Sequence, residues 1–253
     1  MALRFCMDKV SILIPVFNEE KTIINVLETL QEHRFLRINL EKEIIILLDT
    51  RSNDGTKTKI ENFLKKNHNF AKLYEISEPG KGYAIKYGFG KATGKFILIQ
   101  DADLEYDIND YEKLLTPLFK SQTNFVLGIR FNKEDDSPWK MRKIKNEKLY
   151  GFFLNLGGIT INAIMNILYN VKIKDQATMY KVFNIKILEG IKLETNNFET
   201  EVEFLCKLFK KKIYPLQIPI NYKARSKAEG KKINFFRDGI SFLKVLFKYR
   251  FFN

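Results

Sequence analysis

The chain has 253 residues, of which 45% are hydrophobic and 29% charged, so it is excluded from the disordered proteins and could form one large domain. Its two cysteines, Cys6 and Cys206, lie far apart in sequence, which excludes a disulfide framework and a thiolate metal site. The formal net charge is +13, and residues 205–253 hold 13 Lys and Arg against Glu229 and Asp238. This concentration predicts an anionic partner: nucleic acid, an acidic membrane surface or a phosphorylated substrate.

The first 130 residues alternate strand and helix patterns. Short apolar runs predict buried strands at residues 10–15, 43–48, 72–76, 96–99 and 126–130. Between them, apolar residues at helical spacing predict helices at residues 19–31, 55–66, 82–92 and 111–119. Strands that are apolar throughout and alternate with helices predict an α/β fold with a mostly parallel sheet covered on both faces. Ligands of such sheets bind beyond the carboxyl ends of the strands.

The second half of the chain has a different pattern. Residues 132–146 are charged and predict a loop, and a long helix follows to Tyr169. Residues 178–183 and 213–222 have strand patterns, with a helix at 198–209 between them, and two prolines restrict the second strand to a sheet edge. The helix before Tyr169 contains three asparagines and three glycines, so we expect it to be partly buried and do not expect it to span a membrane.

Three carboxylates follow the predicted strand at residues 96–99. In extended backbone alternate side chains share a face, so we expect Asp101, Asp103 and Glu105 to point at one place just beyond the strand end. Such a cluster is unfavourable without a cation. Its hard oxygen ligands suit Mg²⁺ or Mn²⁺, which commonly shares its coordination shell with substrate phosphates. The alternative is a solvated acidic loop without a ligand.

Three further loops follow predicted strands or begin predicted helices. They are residues 15–20, with the sequence P-V-F-N-E-E, residues 49–56, with D-T-R-S-N-D-G-T, and residues 79–82, with P-G-K-G. In the last of these, Lys81 lies between two glycines at a helix start, where backbone N–H groups and a cation can face a phosphate. Each loop alone also fits an ordinary capped helix start, an Asx turn or a surface turn.

Taken together and in this order, the segments I-P-V-F-N-E-E, D-T-R-S-N-D-G-T, G-K-G-Y-A and D-A-D-L-E resemble the family-2 glycosyltransferases with the GT-A fold. The resemblance is closest to dolichol-phosphate mannosyltransferases and polyprenyl-phosphate glucosyltransferases, and it covers roughly residues 10–250. It implies a Rossmann-like GT-A domain over residues 1–233, with a donor half at about 8–130 and an acceptor half at about 131–233. An amphipathic basic helix would follow at residues 234–253.

The resemblance also implies roles for residues in the donor half. Four of them would contact the base and ribose of a nucleoside-diphosphate sugar: Pro15, Phe17, Glu19 and Asp49. The D-x-D pair, Asp101 and Asp103, would bind Mg²⁺ or Mn²⁺, with Asp103 as the direct ligand. Glu105 stands where the closest relatives often have Gln, and its carboxylate can also ligate metal. Thr50 is a second departure, since two consecutive acidic residues are usual there.

Three later segments extend the resemblance. The segment G-I-R resembles the motif that brings an arginine, here Arg130, towards the diphosphate. The segment D-Q-A-T-M-Y resembles D-x-x-T-G-F, with Met179 in place of the glycine. A basic segment before residue 233 resembles one thought to hold phosphate, and a diphosphate or lipid phosphate would be bound there by Arg225, Lys227 and Lys231. A solvated basic loop is the alternative.

The resemblance implies an inverting transfer, in which Lys81, the arginines and the metal stabilise the departing nucleoside diphosphate, UDP or GDP. A polyprenyl phosphate acceptor, with a second pKa near about 6, is largely dianionic at neutral pH and needs no strong base. A sugar hydroxyl of a glycolipid or polysaccharide would need a carboxylate to take its proton, and Glu199 or Glu201 is then the candidate. The alternative for these glutamates is a solvated acidic helix face.

The last predicted helix, from residue 235, carries two stripes. The apolar stripe consists of Phe236, Ile240, Leu243 and Phe247, and the adjoining cationic stripe consists of Arg237, Lys244 and Lys248. Such a helix fits the boundary of an anionic membrane, which predicts peripheral association with the cytoplasmic face. It fits equally well a C-terminal helix packed on the sheet, or a contact between protomers in an oligomer.

Two functions of other classes fit part of the pattern. A nucleic-acid-binding module fits the basic tail, but the aromatics of the tail follow helical spacing and the acidic cluster would repel phosphate without metal, so we expect no nucleic-acid partner. A nucleotide-sugar binder without activity fits the departures at Thr50, Glu105 and Met179. The leading hypothesis is a metal-dependent hexosyltransferase that acts on a polyprenyl phosphate.

Overall fold

The computed structural model describes residues 7–130, 147–226, 229–232 and 235–252. Within these ranges the side chains of Lys148, Phe235 and Phe236 are not described. The predicted loop at residues 132–146 and the predicted site residue Lys227 lie outside the described residues, and both stay predictions.

Strands and helices alternate along the chain, as the apolar periodicity predicts. The strands are β1 (Asp8–Val16), β2 (Leu40–Asp49), β3 (Lys72–Ile76), β4 (Phe96–Ile99), β5 (Phe125–Ile129), β6 (Lys181–Asn184) and β7 (Leu216–Pro219). The helices are α1 (Ile23–Glu32), α2 (Thr56–Lys66), α3 (Lys81–Lys91), α4 (Tyr111–Phe119), α5 (Lys148–Tyr169), α6 (Thr200–Lys210) and α7 (Phe235–Phe251).

The described strands form one seven-stranded sheet in the order β3-β2-β1-β4-β6-β5-β7. Strand β1 is parallel to β2 and β4, β2 is parallel to β3, and β5 is parallel to β7. Strand β6 is antiparallel to both of its neighbours, β4 and β5. The predicted mostly parallel sheet is confirmed, and β7 lies at an edge, where the prolines at 215 and 219 cost no interior ladder hydrogen bonds.

The sheet is covered on both faces because alternate strand residues point to opposite sides. In β1, Ile12 and Ile14 pack in one apolar cluster with Leu27 of α1. The residue between them, Leu13, packs in a second cluster with Leu205 of α6. Both faces of the central strands are therefore buried, which explains why these strands are apolar throughout.

Several predicted boundaries differ from the structure, among them the strand predicted at residues 213–222, which is Leu216–Pro219. For two boundaries the side-chain contacts give the cause. Helix α1 begins at Ile23 and not at residue 19, because Asn18 has a left-handed φ of 47° and the Glu19 amide donates to Thr56 Oγ1 (2.9 Å). Strand β6 begins at Lys181 and not at residue 178, because the Met179 amide donates to the Tyr106 hydroxyl (3.0 Å). In both cases a side-chain oxygen from another segment accepts a hydrogen bond from a backbone N–H group of the predicted element.

Helix α5 packs against α6 and α7 with Leu154, Ile161 and Met165 buried. Among the described helices it is the one that is long and apolar enough, over Leu149–Tyr169, to cross a membrane by length and composition. The span carries no charged residue, so its three asparagines and three glycines do not lower its hydropathy enough to exclude it by composition. The expectation that this helix does not span a membrane stays a prediction.

Helix α7 packs on the fold by one face and leaves another face outward. Phe242, Leu246 and Tyr249 are buried, and the Tyr169 hydroxyl of α5 donates to the carbonyl oxygen of Leu246 (3.2 Å). Of the predicted apolar stripe, Ile240 is 54% exposed and Phe247 44% exposed, whereas Leu243 is partly buried against the core. The expectation that this C-terminal helix packs on the fold is thus met, and some of its apolar side chains remain exposed.

Candidate active site

A cavity of about 460 Å³ lies beyond the carboxyl ends of β1, β2, β4 and β5, where sheets of this type bind their ligands. Its size lies in the range of about 300–1,000 Å³ that is usual for small-molecule sites. Its walls include twelve of the predicted site residues: Pro15, Phe17, Glu19, Asp49, Lys81, Asp101, Asp103, Glu105, Arg130, Glu201, Arg225 and Lys231. The described residue Glu199 does not line it.

At the end of β2, Asp49 is held by an arginine two residues further on. The Asp49 carboxylate accepts hydrogen bonds from the Arg51 amide (2.9 Å), Nε (2.9 Å) and Nη2 (2.5 Å). Burial raises the pKa of Asp49, but the hydrogen bonds from Arg51 outweigh burial and hold the pKa below its usual value. The Phe17 ring centroid lies 5.6 Å from the guanidinium carbon of Arg51. An ionised carboxylate beside an aromatic ring can bind a nucleobase by hydrogen bonding and stacking.

Two glycines let another loop approach the start of α3. A Cβ on Gly80, which has a φ of 110°, would lie 2.1 Å from the carbonyl oxygen of Asn196, and a Cβ on Gly82 would lie 1.9 Å from Thr200 Oγ1. The Tyr83 amide donates to the same Asn196 oxygen (2.9 Å). The expectation that this helix start faces a phosphate is therefore not met at Tyr83. The glycines serve close packing between the start of α3 and the start of α6.

The Lys81 side chain reaches into the cavity between two carboxylates. Its Nζ lies 2.6 Å from Asp101 Oδ1 and 3.8 Å from Glu201 Oε1. Burial lowers the pKa of Lys81, but the charges of Asp101 and Glu201 outweigh burial and raise the pKa above its usual value. The ammonium group thus stays charged, and it presents a compact positive charge of the kind that binds phosphate.

The three carboxylates after β4 do not converge in the way that an extended backbone would bring them together. Leu104 has a left-handed φ of 61°, and the Glu105 amide donates to Asp103 Oδ1 (3.0 Å), so the backbone turns at this point. Among the described residues, no three Asp, Glu, His or Cys side chains form a group that could hold a metal ion. The expectation that the three carboxylates point at one place is not met, because Glu105 is turned towards a different segment. The role of Asp101, Asp103 and Glu105 as metal ligands stays a prediction.

Asp101 and Asp103 fit a divalent cation that shares its shell with a substrate. Burial raises the pKa of Asp103, and the charges of Asp101 and Glu105 raise it further. A raised pKa of a buried carboxyl group shows that it is short of positive charge, and Mg²⁺ or Mn²⁺ would supply that charge. Two carboxylates would leave the rest of an octahedral shell to substrate phosphates and water.

A basic segment, residues 222–226 and 229–232, closes one side of the cavity, and we call it the basic strap. The Arg225 guanidinium donates to Glu19 through Nη1 (3.0 Å) and Nη2 (3.2 Å), and Nη2 also donates to Asp103 Oδ2 (3.0 Å). Two further strap cations pair with carboxylates of the cavity wall, Lys231 with Glu105 (2.7 Å) and Lys232 with Glu19 (2.6 Å). The strap therefore supplies the positive charge that the predicted phosphate-binding role needs.

Arg130 lies just after β5 and is bound by Asp175. Its Nε and Nη2 each donate to one Asp175 oxygen at 2.7 Å, and its guanidinium carbon lies 5.0 Å from the centroid of the Tyr222 ring. Burial lowers the pKa of Arg130, but Asp175 outweighs burial and raises the pKa well above its usual value. The G-I-R and D-Q-A-T-M-Y segments thus meet as a buried ion pair, and a diphosphate would share Arg130 with Asp175.

The structure separates the two glutamates considered for proton removal. Glu201 lines the cavity, with its Oε2 3.2 Å from Lys181 Nζ, whereas Glu199 precedes α6 outside the cavity wall. Lys181 is 1% exposed, and burial holds its pKa below the usual value although Glu201 opposes this effect. Glu201 is therefore the only one of the two that could meet an acceptor in the described cavity.

Arg51 and Lys181 are residues of the site that the sequence analysis did not identify. Arg51 follows Asp49 by two residues, a spacing at which a long side chain can turn back on a strand-end carboxylate. Lys181 is the one charged residue of β6, and a buried ammonium needs an anion. Both features can be read from the sequence, but neither predicts which side chain forms the ion pair in the folded structure.

Comparison with known proteins identifies relatives that are longer than this chain. A dolichyl-phosphate beta-glucosyltransferase of Dictyostelium discoideum is 25% identical over 252 residues, which are 95% of this chain and 73% of that protein. A dolichol-phosphate mannosyltransferase of Pyrococcus furiosus is 25% identical over 224 residues, which are 88% of this chain and 59% of that protein.

The fold has solved counterparts as well. The crystal structure of glucosyl-3-phosphoglycerate synthase from Mycobacterium tuberculosis in complex with Mn²⁺, UDP and phosphoglyceric acid matches with a TM-score of 0.69 at 14% identity, over 97% of this chain and 80% of that chain. This likeness shows the GT-A fold. Residues 11–189 match the sequence pattern of glycosyl transferase family 2, which is most of the chain. The chain therefore belongs to glycosyl transferase family 2.

Proposed function

We propose that this glycosyltransferase moves a hexose from a nucleoside-diphosphate sugar to a polyprenyl phosphate. The observation that carries the proposal is one cavity wall on which Asp101 and Asp103 lie beside Lys81 and Arg225. A diphosphate with a bound divalent cation needs both carboxylates for the metal and cations for the phosphate oxygens. The acceptor class is supported by the relatives, which are named as dolichyl-phosphate and dolichol-phosphate transferases.

The donor would extend from the end of β2 to the basic strap. Asp49 and Phe17 would contact the base, and Glu19 the ribose, while the diphosphate would lie between Lys81 and Arg225. Both cations are now paired with carboxylates at 2.6–3.0 Å. These pairs would be exchanged for contacts with phosphate oxygens and metal when the donor binds, so that no charge is left buried without a partner.

In the transfer, the acceptor oxygen would form a bond to the anomeric carbon while the bond from that carbon to the diphosphate oxygen breaks. The electron pair of the broken bond stays on the nucleoside diphosphate. Bound Mg²⁺ or Mn²⁺ would supply charge stabilisation to this leaving group. Lys81 and Arg225 would stabilise the same negative charge from the protein, because they are fixed by the fold before the reaction. A dianionic polyprenyl phosphate has no proton to remove at neutral pH.

Transfer to a sugar hydroxyl is the second candidate function, and the position of Glu201 favours it. A hydroxyl acceptor needs a base within hydrogen-bond reach, and Glu201 is the carboxylate on the α6 side of the cavity. Against this role, Glu201 contacts both Lys81 (3.8 Å) and Lys181 (3.2 Å), so an acceptor hydroxyl would compete with two ammonium groups for its oxygens.

The chain would act at the cytoplasmic face of a membrane that contains its lipid acceptor. Helices α5 and α7 pack against each other, and each leaves large apolar side chains exposed: Leu149 and Ile167 on α5, and Ile240, Phe247, Phe251 and Phe252 at or after α7. Exposed cations, including Lys244 and Arg250, lie on the same α7 helix. Apolar side chains beside cations fit the headgroup boundary of an anionic membrane.

A thermal-shift screen tests the donor part of the proposal. Purified protein is heated with UDP-sugars, GDP-sugars and other nucleotide-sugars, each with and without Mn²⁺. We expect one nucleotide class to raise the melting temperature in a Mn²⁺-dependent manner, because ligands that bind only the folded state stabilise it. Absence of a shift with every donor would contradict the proposed function.

A further inference from the structure

The side-chain oxygens of Glu105 accept hydrogen bonds from the basic strap. Its Oε2 accepts a hydrogen bond from the Tyr222 hydroxyl (2.6 Å). Its Oε1 accepts from the Arg225 amide (2.8 Å) and from Lys231 Nζ (2.7 Å). The carbonyl oxygen of Glu105 also accepts from the Lys223 amide (2.9 Å). Four groups of the strap thus meet a single residue, which is 7% exposed.

The backbone joins the strap to the acidic segment as well. Tyr106 and Tyr222 form an isolated antiparallel bridge, and their ring centroids lie 5.2 Å apart. This bridge fixes the beginning of the strap beside the end of β4. From there the strap places the Arg225 guanidinium within 3.0 Å of both Glu19 and Asp103, on the wall where the diphosphate is expected.

We propose that Glu105 is a positioning residue that latches the basic strap over the donor site and lies outside the metal shell. This inference rests on the proposed function, because it concerns how Arg225 is held for the diphosphate of the donor. The metal shell would then draw on Asp101 and Asp103 of the acidic segment, and the third carboxylate would hold the cations of the strap.

A carboxylate suits this latch better than the amide of a glutamine. A carboxylate is an acceptor with about four lone-pair directions over two oxygens, and Lys231 contacts both oxygens of Glu105, at 2.7 and 3.1 Å. A glutamine would offer one oxygen and would turn an NH₂ group towards other donors. If Glu105 ligated the metal, its hydrogen bonds to the strap would break. The Lys231 side chain, which is only 10% exposed, would then be separated from the Glu105 carboxylate, and separating a desolvated ion pair is unfavourable.

Hydrogen–deuterium exchange on the unliganded full-length protein tests the latch directly. In Glu105→Gln we expect peptides covering residues 220–232 to exchange about tenfold faster than in the wild type, because charge-assisted bonds are lost. The double variant with Lys231→Met should exchange no faster than Glu105→Gln alone, since Glu105→Gln already removes the charge-assisted contact with Lys231. Unchanged exchange of this segment in Glu105→Gln would overturn the proposal.

Mn²⁺ binding in the presence of UDP or GDP separates a latch from a metal ligand. We expect Asp103→Asn to abolish Mn²⁺ binding and Glu105→Gln to change the Mn²⁺ affinity by less than about threefold, because Asp103 would coordinate the ion and Glu105 would not. A loss of Mn²⁺ affinity in Glu105→Gln as large as that in Asp103→Asn would overturn the proposal, whatever the exchange experiment shows.

The affinity for UDP or GDP without metal shows whether Glu105 acts through Arg225. Removal of a negative charge alone would tighten the binding of a diphosphate, whereas loss of the latch should weaken it by about threefold to tenfold, because Arg225 is no longer held in place. In an Arg225→Ala background, Glu105→Gln should have no further weakening effect. Tighter binding in Glu105→Gln, or equal weakening in both backgrounds, would overturn the proposal.

These measurements distinguish failure of the latch from failure of the proposed function. If the wild-type protein binds no nucleoside diphosphate with or without Mn²⁺, the proposed function fails. The exchange experiment still decides the latch in that case, because it uses the unliganded protein and needs no donor.

Discussion

Asp103 is the residue on which donor binding depends most directly. Its carboxylate lies on the cavity wall with 13% of the side chain exposed, Arg225 is 3.0 Å away, and desolvation and its acidic neighbours raise its pKa. We expect Asp103→Asn to abolish the Mn²⁺-dependent rise in melting temperature with nucleotide-sugars and to lower the transfer rate by about 100-fold or more, since charge stabilisation of the leaving group depends on the metal.

The matched control is Asp107→Asn, in which a carboxylate four residues further on is changed. Asp107 caps the 3₁₀ helix Ile108–Asp110 by accepting from the Asn109 amide (2.9 Å) and does not line the described cavity. The Asp107→Asn variant should retain the Mn²⁺-dependent rise in melting temperature with nucleotide-sugars. Equal stabilisation by donor in Asp103→Asn and the wild type would contradict the role of Asp103.

Glu201 provides a test of the acceptor class. With a polyprenyl phosphate acceptor there is no proton to remove, so Glu201→Gln should lower the transfer rate by no more than about tenfold, through the altered position of Lys81. Loss of a general base would lower the rate by about 10²- to 10⁴-fold. Steady-state rates with a lipid phosphate acceptor measure the difference, and Glu199→Gln is the control because Glu199 lies outside the cavity wall. A loss of 10² or more with this acceptor would contradict a transfer that needs no general base.

At the residue scale, the sequence predicted most members of the site and not all of their partners. Asp49, Lys81, Asp101 and Arg130 come together because the carboxyl ends of parallel strands meet at one edge of the sheet. The direction of Glu105 could not be predicted, since it depends on the left-handed backbone that Leu104 adopts against its usual preference.

The start of α3 gives a prediction for a single element. A methyl group at Gly82 would overlap Thr200 Oγ1, whereas nothing lies within 4 Å of a Cβ at Gly90 in the same helix. We expect Gly82→Ala to lower the free energy of unfolding by about 1–3 kcal/mol through overpacking. Gly90→Ala should raise it by about 0.5–1 kcal/mol because alanine favours helix. Urea unfolding of both variants checks this, and a stable Gly82→Ala would contradict the close approach.

Glu43 of β2 gives a pH prediction at the opposite end of the sheet. It accepts hydrogen bonds from Ser11 Oγ (2.6 Å), the Thr93 amide (2.8 Å) and Lys72 Nζ (2.9 Å). Burial raises the pKa of Glu43, but these hydrogen bonds outweigh burial and lower the pKa to about 2. The stabilisation is complete above the unfolded pKa of about 4.5 and is lost as the pH falls towards about 2.

Two variants test this dependence. In Glu43→Gln the free energy of unfolding should fall by about 1–3 kcal/mol at pH 7, because buried donors lose their charged acceptor. Between pH 4.5 and pH 2 the free energy of unfolding of Glu43→Gln should decrease less than that of the wild type. Glu41→Gln is the control, since Glu41 lies on the same strand and is exposed. The same pH slope in Glu43→Gln and the wild type would contradict the assignment.

For the whole molecule, the outward face of α7 predicts membrane binding. Ile240 is 54% exposed and Phe247 44% exposed, so the double change to Ser should alter the free energy of unfolding by less than about 0.5 kcal/mol per site. The fraction of protein that floats with vesicles containing anionic lipid should fall by about tenfold, because apolar side-chain area that would contact the membrane interface is lost. Leu36→Ser is the control, since Leu36 is 86% exposed outside α5 and α7. Unchanged flotation of the double variant would contradict this surface.

The α/β architecture could be predicted from the sequence because central strands that are apolar throughout need cover on both faces. The antiparallel direction of β6 could not, because a run of four residues carries no signal of its direction and the direction follows from its pairing with β4 and β5. The burial of Phe242 and Tyr249 could not be predicted either, since both faces of α7 carry aromatic residues.

Transfer of labelled sugar to a polyprenyl phosphate is the measurement that tests the central claim most directly. Wild-type protein and Asp103→Asn are incubated with Mn²⁺, labelled nucleotide-sugars and polyprenyl phosphate in vesicles, and the lipid fraction is extracted. We predict that label from one donor enters the lipid fraction with the wild-type protein, and that Asp103→Asn transfers about 100-fold less or lower still. Donor binding without any transfer to lipid phosphate, or transfer that is equal in Asp103→Asn, would contradict the account.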